Sequence, residues 1–311
     1  MTDETAAPVA TGKGPMSRLQ DSAFGLLLVT GGLLGMTPPF GKLAAEGGIP
    51  PTLWSFVISF GAGSVLLCVL LARRMPLRLT AHKLRYFVIA AAISYAIPNI
   101  LMFSAIPHLG AGYTAIMLTL SPVVTLVLSI LLGVRRPSML GVAGIAVGFA
   151  GAVMVTMTRG EASQPADLFW VGIGLLIPVS LAAGNIYRTK DWPEGAGPTE
   201  LAVGSHLAAA AMLLAGVFAI GDGGSFGSLL DAPLLVVAQV AASAAMFAFF
   251  FRLQAVGGPV YLSQIGYVGA AVSLVAGIFF LGESYSPPTW IGTAIIMAGV
   301  IMTTRAQSRA S

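Results

Sequence analysis

Charged residues are scarce in this sequence. They account for 9% of its 311 residues, whereas soluble globular domains carry about 25%. Apolar residues account for 56%, and a chain of this length with so few charges cannot cover its own surface in water. We therefore predict a protein embedded in a lipid bilayer.

Groups suited to catalysis or metal binding are equally rare. The single cysteine, Cys68, excludes a disulfide within the chain, and the three scattered histidines show no metal-ligand spacing. The sequence has no Walker-type phosphate loop and no visible pairing of a nucleophile with a base. We predict neither an enzyme nor an ATP-driven pump, and we expect no cofactor and no metal.

Ten apolar segments follow one another along the chain, each close to the roughly 20 residues that cross a bilayer core. They are residues 23–45, 51–72, 84–107, 111–132, 138–157, 168–187, 199–220, 232–254, 259–281 and 286–304. Their central parts hold no aspartate or glutamate, so a carboxylate proton relay is not expected. Polar cytoplasmic tails are predicted at 1–22, which we expect to be disordered, and at 305–311.

Lysine and arginine are distributed unequally over the connections. With the N-terminus in the cytoplasm, 14 of the 16 basic residues fall on the cytoplasmic side, and only Lys42 and Arg159 fall on the other. Short loops that hold most of the positive charge lie inside the cell. The asymmetry predicts ten spans with both termini cytoplasmic in a bacterial inner membrane. Membrane topology therefore explains the net charge of +4, and we do not expect binding to nucleic acid.

The two halves of the chain repeat each other. The stretch GIAVGFAGAVMVT at 144–156 aligns without gaps on GTAIIMAGVIMTT at 292–304, a shift of 148 residues. The similarity extends to ILLG before residue 134 and FFLG before residue 283, and to the Pro-Thr pairs at 51 and 198. Repeats of this kind place a substrate site between the halves.

Five helices are an odd number, so the second half must enter the membrane upside down relative to the first. The predicted fold is an all-α membrane protein of ten transmembrane helices in two inverted five-helix repeats, residues 23–157 and 168–304. A periplasmic linker, 158–167, joins them.

Three short motifs resemble a known family. They are GGLLGMTPPFGKLAAEGGIPP at 31–51, with Gly35 and Lys42 kept, SLAAGNIYRTK at 180–190, and LGE at 281–283. The chain thus resembles the EamA type of the drug/metabolite transporter superfamily, and most of all its bacterial amino-acid exporters, including those for aromatic amino acids. It departs from that pattern at Leu34, where tryptophan is usual, and at Val134, where the first half often has a glutamate. The resemblance implies a transporter built from two inverted repeats.

Polar residues near the membrane midplane are the candidates for a substrate cavity, because they are costly there unless they are partnered or face water. Tyr95 and Asn99 lie four residues apart on one face of the third segment, and Pro98 between them frees a backbone carbonyl. The further candidates are His206, Gln264, Tyr267, Gln239 and Asn185. The alternative for each is a hydrogen bond between helices without contact to substrate.

Prolines and glycines add two predictions about the backbone. Kinks or hinges are expected at Pro38, Pro39, Pro98, Pro122 and Pro178, although prolines are also simply tolerated in membrane helices. A glycine stripe, which consists of Gly141, Gly144, Gly148 and Gly151, predicts close packing of another helix, within the fold or between subunits. A monomer and a weak homodimer both remain open.

These features favour a secondary transporter that exports amino acids or similar small zwitterionic or neutral metabolites by alternating access. Its partners would be a small-molecule substrate and the lipid bilayer. A largely uncharged cavity suits a zwitterion better than a phosphate, which would require arginine or lysine. A transporter of the same fold for drugs, nucleosides or sugars is the alternative.

Overall fold

Every regular element in the described part of the chain is helical, which confirms the all-α class. The computed structural model describes residues 22–75, 79–133, 138–157, 168–284 and 286–308. The helices are α1 (Ala23–Glu46), α2 (Pro51–Ala72), α3 (Ala81–Leu109), α4 (residues 111–131), α5 (Met139–Met157), α6 (Leu168–Lys190), α7 (Pro198–Ala219), α8 (Pro233–Ser263), α9 (Ile265–Leu281) and α10 (Pro287–Ser308). The predicted linker 158–167, and the tails apart from Ser22 and residues 305–308, lie outside the described residues.

Seven of these helices contain stretches long and apolar enough to cross a membrane. The stretches are Ala23–Glu46, Pro51–Ala72, Ala81–Leu109, Thr114–Leu131, Leu168–Lys190, Pro198–Ala219 and Pro233–Pro259. Shorter apolar stretches lie in α5, α9 and α10. The chain is therefore a multi-pass membrane protein, while the number of ten spans and the cytoplasmic termini stay predictions.

The connections of the two halves have matching backbone geometry. In the described chain, eight residues have a positive φ, and they form four pairs separated by 147 to 149 positions. The pairs are Gly48 and Gly195, Arg74 and Gly221, Gly110 and Gly258, and Gly133 and Gly282. Gly110 (φ 81°) precedes α4, and Gly258 (φ 71°) turns the chain within α8, where the ninth segment was predicted to begin. Backbone geometry thus supports the repeat that the sequence alignment predicted.

Helix packing follows the same symmetry. Helix α2 packs on its counterpart α7, and α5 packs on its counterpart α10. Helix α1 packs on α8 and α9, just as α6 packs on α3 and α4. Each contact is thus found again when the two halves are exchanged, as in a pseudo-twofold arrangement. In transporters with this symmetry the substrate site lies between the halves.

The glycine stripe of α5 lies against α10 and α9. A Cβ atom on Gly144 would approach the carbonyl oxygen of Gly299, and one on Gly151 would approach the carbonyl oxygen of Gly292. Gly148 lies against the phenol of Tyr267, whereas a Cβ atom on Gly141 would lie 3.3 Å from the hydroxyl of Ser138 and 3.7 Å from Ala306 on α10. The stripe is therefore covered by helices of the same chain, and packing between subunits is not needed to explain it.

Candidate functional site

Interruptions in four helices converge on one cavity. Helix α1 is interrupted at Met36, α3 contains a π-helical stretch (Ala92–Ala96), α4 contains a 3-10 turn (Leu118–Leu120), and α9 begins after a break at Gln264. Residues at or next to each interruption line the cavity. Irregular backbone at membrane depth is tolerated where it lines a cavity or is buried in protein, so these interruptions mark the place to look for a site.

Four of the five predicted kink prolines lie at these interruptions. Pro38 and Pro39 are in the first turn of the second piece of α1, and Pro98 and Pro122 are each the second residue of the helix that follows the π-helical stretch and the 3-10 turn. Proline fits there because the first turn of a helix leaves its N–H groups without intrahelical acceptors. Pro178 instead lies within the uninterrupted α6.

A serine from the second half completes the hydrogen bonding of the π-helical stretch. The N–H of Ile97 bonds to the carbonyl of Ala92, five residues earlier. In that register the carbonyl of Ile93 would accept from residue 98, but Pro98 has no N–H. The hydroxyl of Ser180 on α6 donates to this carbonyl at 2.7 Å. The interruption in α3 is therefore supported by α6.

The cavity lies between the two halves, and its space amounts to about 800 Å³ when the adjoining open solvent is counted. Helices α1, α2, α3, α4, α6, α8 and α9 contribute to its wall, and most of the lining side chains are apolar. The polar members are Thr37, Ser94, Tyr95, Asn99, Ser121, Asn185, Arg188, Ser243 and Ser263. An apolar wall with a few converging polar groups suits a small amphipathic solute.

Three of the predicted site residues lie on this wall, and the structure brings them together from two helices. Tyr95 and Asn99 come from α3 with Pro98 between them, and Asn185 comes from α6. The hydroxyl of Tyr95 is buried and has no hydrogen-bond partner among the described residues. It is a buried polar group next to the cavity that no described residue satisfies.

Two further predicted residues lie one layer behind the wall. The ring of His206 is fully buried. Its centre lies 4.2 Å from the ring centre of Tyr95 and 3.8 Å from that of Phe247. Both of these neighbours line the cavity. The amide of Gln239 donates to the hydroxyl of Ser243 at 2.7 Å. His206 and Gln239 therefore support cavity residues and are not part of the wall.

Gln264 and Tyr267 are also absent from the wall. Gln264 lies at the break before α9, between the lining residues Ser263 and Ile265, and its buried amide atoms have no partner among the described residues. Tyr267 packs with its phenol against Gly148 on α5. The sequence predicted both as cavity residues, but neither is among the residues that line the cavity.

Arg188 is the charged lining residue that sequence reasoning missed. The sequence assigned it to a cytoplasmic connection, yet its side chain is 1% exposed and lines the cavity. Its Nε donates to Gln254 Oε1 at 2.9 Å and its Nη2 donates to Asn185 Oδ1 at 2.7 Å. The guanidinium carbon lies 5.0 Å from the ring centre of Phe250 and 5.7 Å from that of Tyr95.

This arginine corrects the expectation of an uncharged cavity. It occupies the last turn of α6, and helical side chains tilt toward the N-terminus of their helix. A basic residue at a helix end can therefore direct its charge back into the bundle. That tilt was the available signal in the sequence.

Ion pairs and a lysine hydrogen bond join helix ends around the bundle. The ammonium of Lys42 on α1 lies 2.8 Å from a carboxylate oxygen of Glu283, the second residue after α9. In the second half, Lys190 at the end of α6 donates to the carbonyl of Leu132 at the end of α4, at 3.2 Å. A second pair, Lys83 on α3 and Glu200 on α7, is buried and spans 2.6 Å. Among the described residues no cluster of three histidine, cysteine or acidic side chains could hold a metal.

A polar cluster surrounds Asp191, which directly follows α6. Its carboxylate accepts hydrogen bonds from Tyr187 at 2.7 Å and from Arg85 at 2.8 Å, and lies 3.1 Å from His82. Burial alone would raise the pKa of Asp191, but the bonds from Tyr187 and His82 and the charge of Arg85 together hold it below 3.8.

The cluster should stabilise the fold only where Asp191 is ionised. Because the pKa is lowered in the folded protein, this stability is present at neutral pH and is lost as the pH falls through the folded pKa. We expect Asp191→Asn to cost up to about 1 kcal/mol at pH 7, since Arg85 and His82 are partly exposed. Thermal unfolding in detergent at pH 7 and pH 3 would measure this, with Asp231→Asn as the control. An equal cost at both pH values would contradict the prediction.

Comparison with known proteins gives one family and several relatives. The family model of the EamA-like transporters matches residues 22–157 and again residues 168–305. The uncharacterized inner membrane transporter YedA of Escherichia coli strain K12 is 27% identical over 273 residues, 82% of either chain. Protein PecM of Dickeya dadantii is 26% identical over 301 residues, 92% of either chain. A solved crystal structure with a TM-score of 0.69 and 20% identity, covering 95% of this chain and 99% of the other, shares the fold.

Proposed function

Because this chain belongs to the EamA-like transporter family, we propose that it exports amino acids or similar small zwitterionic or neutral metabolites. It is a membrane transporter, and the proposal adds its substrate class and its mechanism. Export would proceed by alternating access across a bacterial inner membrane, the location that the name of the relative YedA gives for that protein.

The observation that carries the proposal is the cavity between two similar halves, with helix interruptions on its wall. In transporters built from paired repeats, one half rocks against the other around a central site. Interrupted helices supply the points where such a movement can bend. The glycine stripe is covered within the chain, so it gives the proposal no reason to require a second subunit.

The wall chemistry supports a small amphipathic substrate. Tyr95 contributes an aromatic side chain, Asn99 contributes an amide, and most of the other lining side chains are apolar. None of the described residues that line the cavity is an aspartate or glutamate, so the proposal uses the gradient of the substrate itself and no carboxylate proton relay.

Transport in liposomes tests this function. Reconstituted protein would be offered a panel of labelled amino acids, and uptake and efflux would be compared with empty vesicles. We expect Tyr95→Ala to lower transport about tenfold, because aromatic contacts are worth up to about 1.5 kcal/mol. Phe149→Ala, at an exposed position on α5, is the control and should transport like the wild type.

Two outcomes would redirect the proposal. If no amino acid moves above the background in either direction, the amino-acid assignment is wrong. If only drugs, nucleosides or sugars move, the alternative substrate class replaces it. Full transport by Tyr95→Ala would show that the substrate does not use this cavity.

A further inference from the structure

Several N–H groups of the Arg188 guanidinium, at the cavity wall, have no hydrogen-bond acceptor among the described residues. Of its five N–H groups, one on Nε binds Gln254 and one on Nη2 binds Asn185. Among the described residues the other three have no acceptor. These three are two N–H groups on Nη1 and one on Nη2. A pair with one N–H group on each Nη is one of the pairs through which a guanidinium binds a carboxylate at two points.

The charge of Arg188 is not neutralised by the described residues around it. Both hydrogen-bond partners are neutral amides, and the rings of Phe250 and Tyr95 attract the cation without cancelling it. A guanidinium that is 1% exposed in a membrane protein is costly without an anion. A purely structural link between α6 and α8 could use a neutral side chain at lower cost.

A glycine keeps space beside the unbonded Nη1. A Cβ atom on Gly184, one turn before Arg188, would lie 3.2 Å from Nη1 and would collide with the hydroxyl of Ser94 on the cavity wall. The absence of a side chain at position 184 therefore allows both Ser94 and the free edge of the guanidinium to occupy this part of the wall.

We infer that Arg188 binds the carboxylate of the transported substrate, and that the substrate class is the amphipathic monocarboxylates, with or without an amino group. This rests on the proposed function in one respect, that the cavity is the transport site. Arg188 is the one charged residue among the described lining residues, so a single negative charge is matched. Phe247, Phe250 and Met102 on the same wall would contact the apolar body.

The test compares ligands that differ only in this charge. The probes are 3-phenylpropionate and 4-methylpentanoate, each paired with its uncharged amide, and the measurement is the ligand-dependent rise in Tm of the purified protein in detergent. In the wild type we expect both acids to raise Tm and the amides to have little effect. In Arg188→Gln the affinity for the acids should fall about 30-fold or more, and the preference for acid over amide should disappear.

Two variants separate binding from folding. Arg188→Lys keeps the charge but not the two-point geometry, so it should retain a weakened preference for the acids. Arg85→Gln removes a cation that lies outside the cavity, and the preference should remain at the wild-type level. If Arg188→Gln does not fold, the acid–amide comparison in the wild type and in Arg188→Lys decides.

The inference and the proposed function fail in different ways. If the wild type does not distinguish acid from amide, or if Arg188→Gln still does, the inference is wrong. If acids bind through Arg188 but no amino acid is transported in liposomes, the inference stands and the amino-acid assignment falls. If amino acids are transported equally by the wild type and Arg188→Gln, the proposed function stands and the inference falls.

Discussion

Replacing Lys83 by glutamine is expected to destabilise the protein by about 3–5 kcal/mol, because it leaves the carboxylate of Glu200 buried without a counter-charge. The ammonium of Lys83 and the carboxylate of Glu200 are 2.6 Å apart, and their side chains are only 8% and 6% exposed. The pair joins the beginning of α3 to the first turn of α7.

Burial is what makes this pair sensitive to the loss of one partner. Two charges that leave water together can compensate each other, but one charge left alone in a poorly solvated site cannot. The double variant Lys83→Met with Glu200→Leu removes both charges at once. It should therefore recover most of the stability that Lys83→Gln loses.

A neighbouring arginine provides the matched control. Arg85 lies two residues further along α3 and pairs with Asp191 at 2.8 Å, but its side chain is 60% exposed. Exposed pairs contribute about 1 kcal/mol or less, so Arg85→Gln should be nearly neutral. Unfolding in mixed detergent micelles would give both free energies. Similar costs for Lys83→Gln and Arg85→Gln would contradict the prediction.

The positions of the helices could be predicted from local signals. The segment 51–72 coincides with α2, and the segment 199–220 lies within one residue of α7, because a Pro-Thr pair begins each one. Prolines and glycines mark these boundaries through their own backbone preferences, which depend little on the rest of the fold.

The end of α8 could not be predicted in the same way. The sequence ended the eighth segment at residue 254, where polar residues follow an apolar run, but the helix continues to the turn at Gly258. Gln254 is buried there and bonds to Arg188, which lies 66 positions earlier. A polar residue that looks like a boundary in sequence can thus be an interior contact, and only the partner reveals it.

The candidate site could be predicted only in part, because contacts between distant residues decide which side chains line the cavity. Tyr95 and Asn99 were identified because they share a face in the middle of a helix with a proline between them. For His206 and Tyr267, the position along the segment did not tell which face of α7 or α9 turns toward the cavity. Both were therefore predicted as cavity residues, but neither lines the cavity. Arg188 was missed because its burial depends on α8 and on aromatic rings from α3 and α8.

The second large effect is expected at the contact between α5 and α10. A Cβ atom on Gly299 would lie 2.5 Å from the nitrogen of Gly148 and 2.6 Å from the carbonyl oxygen of Gly144. These atoms belong to the backbone of α5, so no side chain can rotate to make room. The two helices would have to separate.

Gly299→Ala should therefore cost about 3 kcal/mol, at the upper end of the usual range for overpacking, although alanine is the better helix former. Gly216→Ala on α7 is the matched control, since no atom outside the adjacent residues and the local helix backbone lies within 4 Å of the added Cβ. That change should leave stability unchanged or raise it by up to about 1 kcal/mol, because glycine loses more backbone freedom on folding. Unfolding of both variants in mixed micelles would measure the difference. If Gly299→Ala were as stable as Gly216→Ala, α5 and α10 could not be in backbone contact at this point.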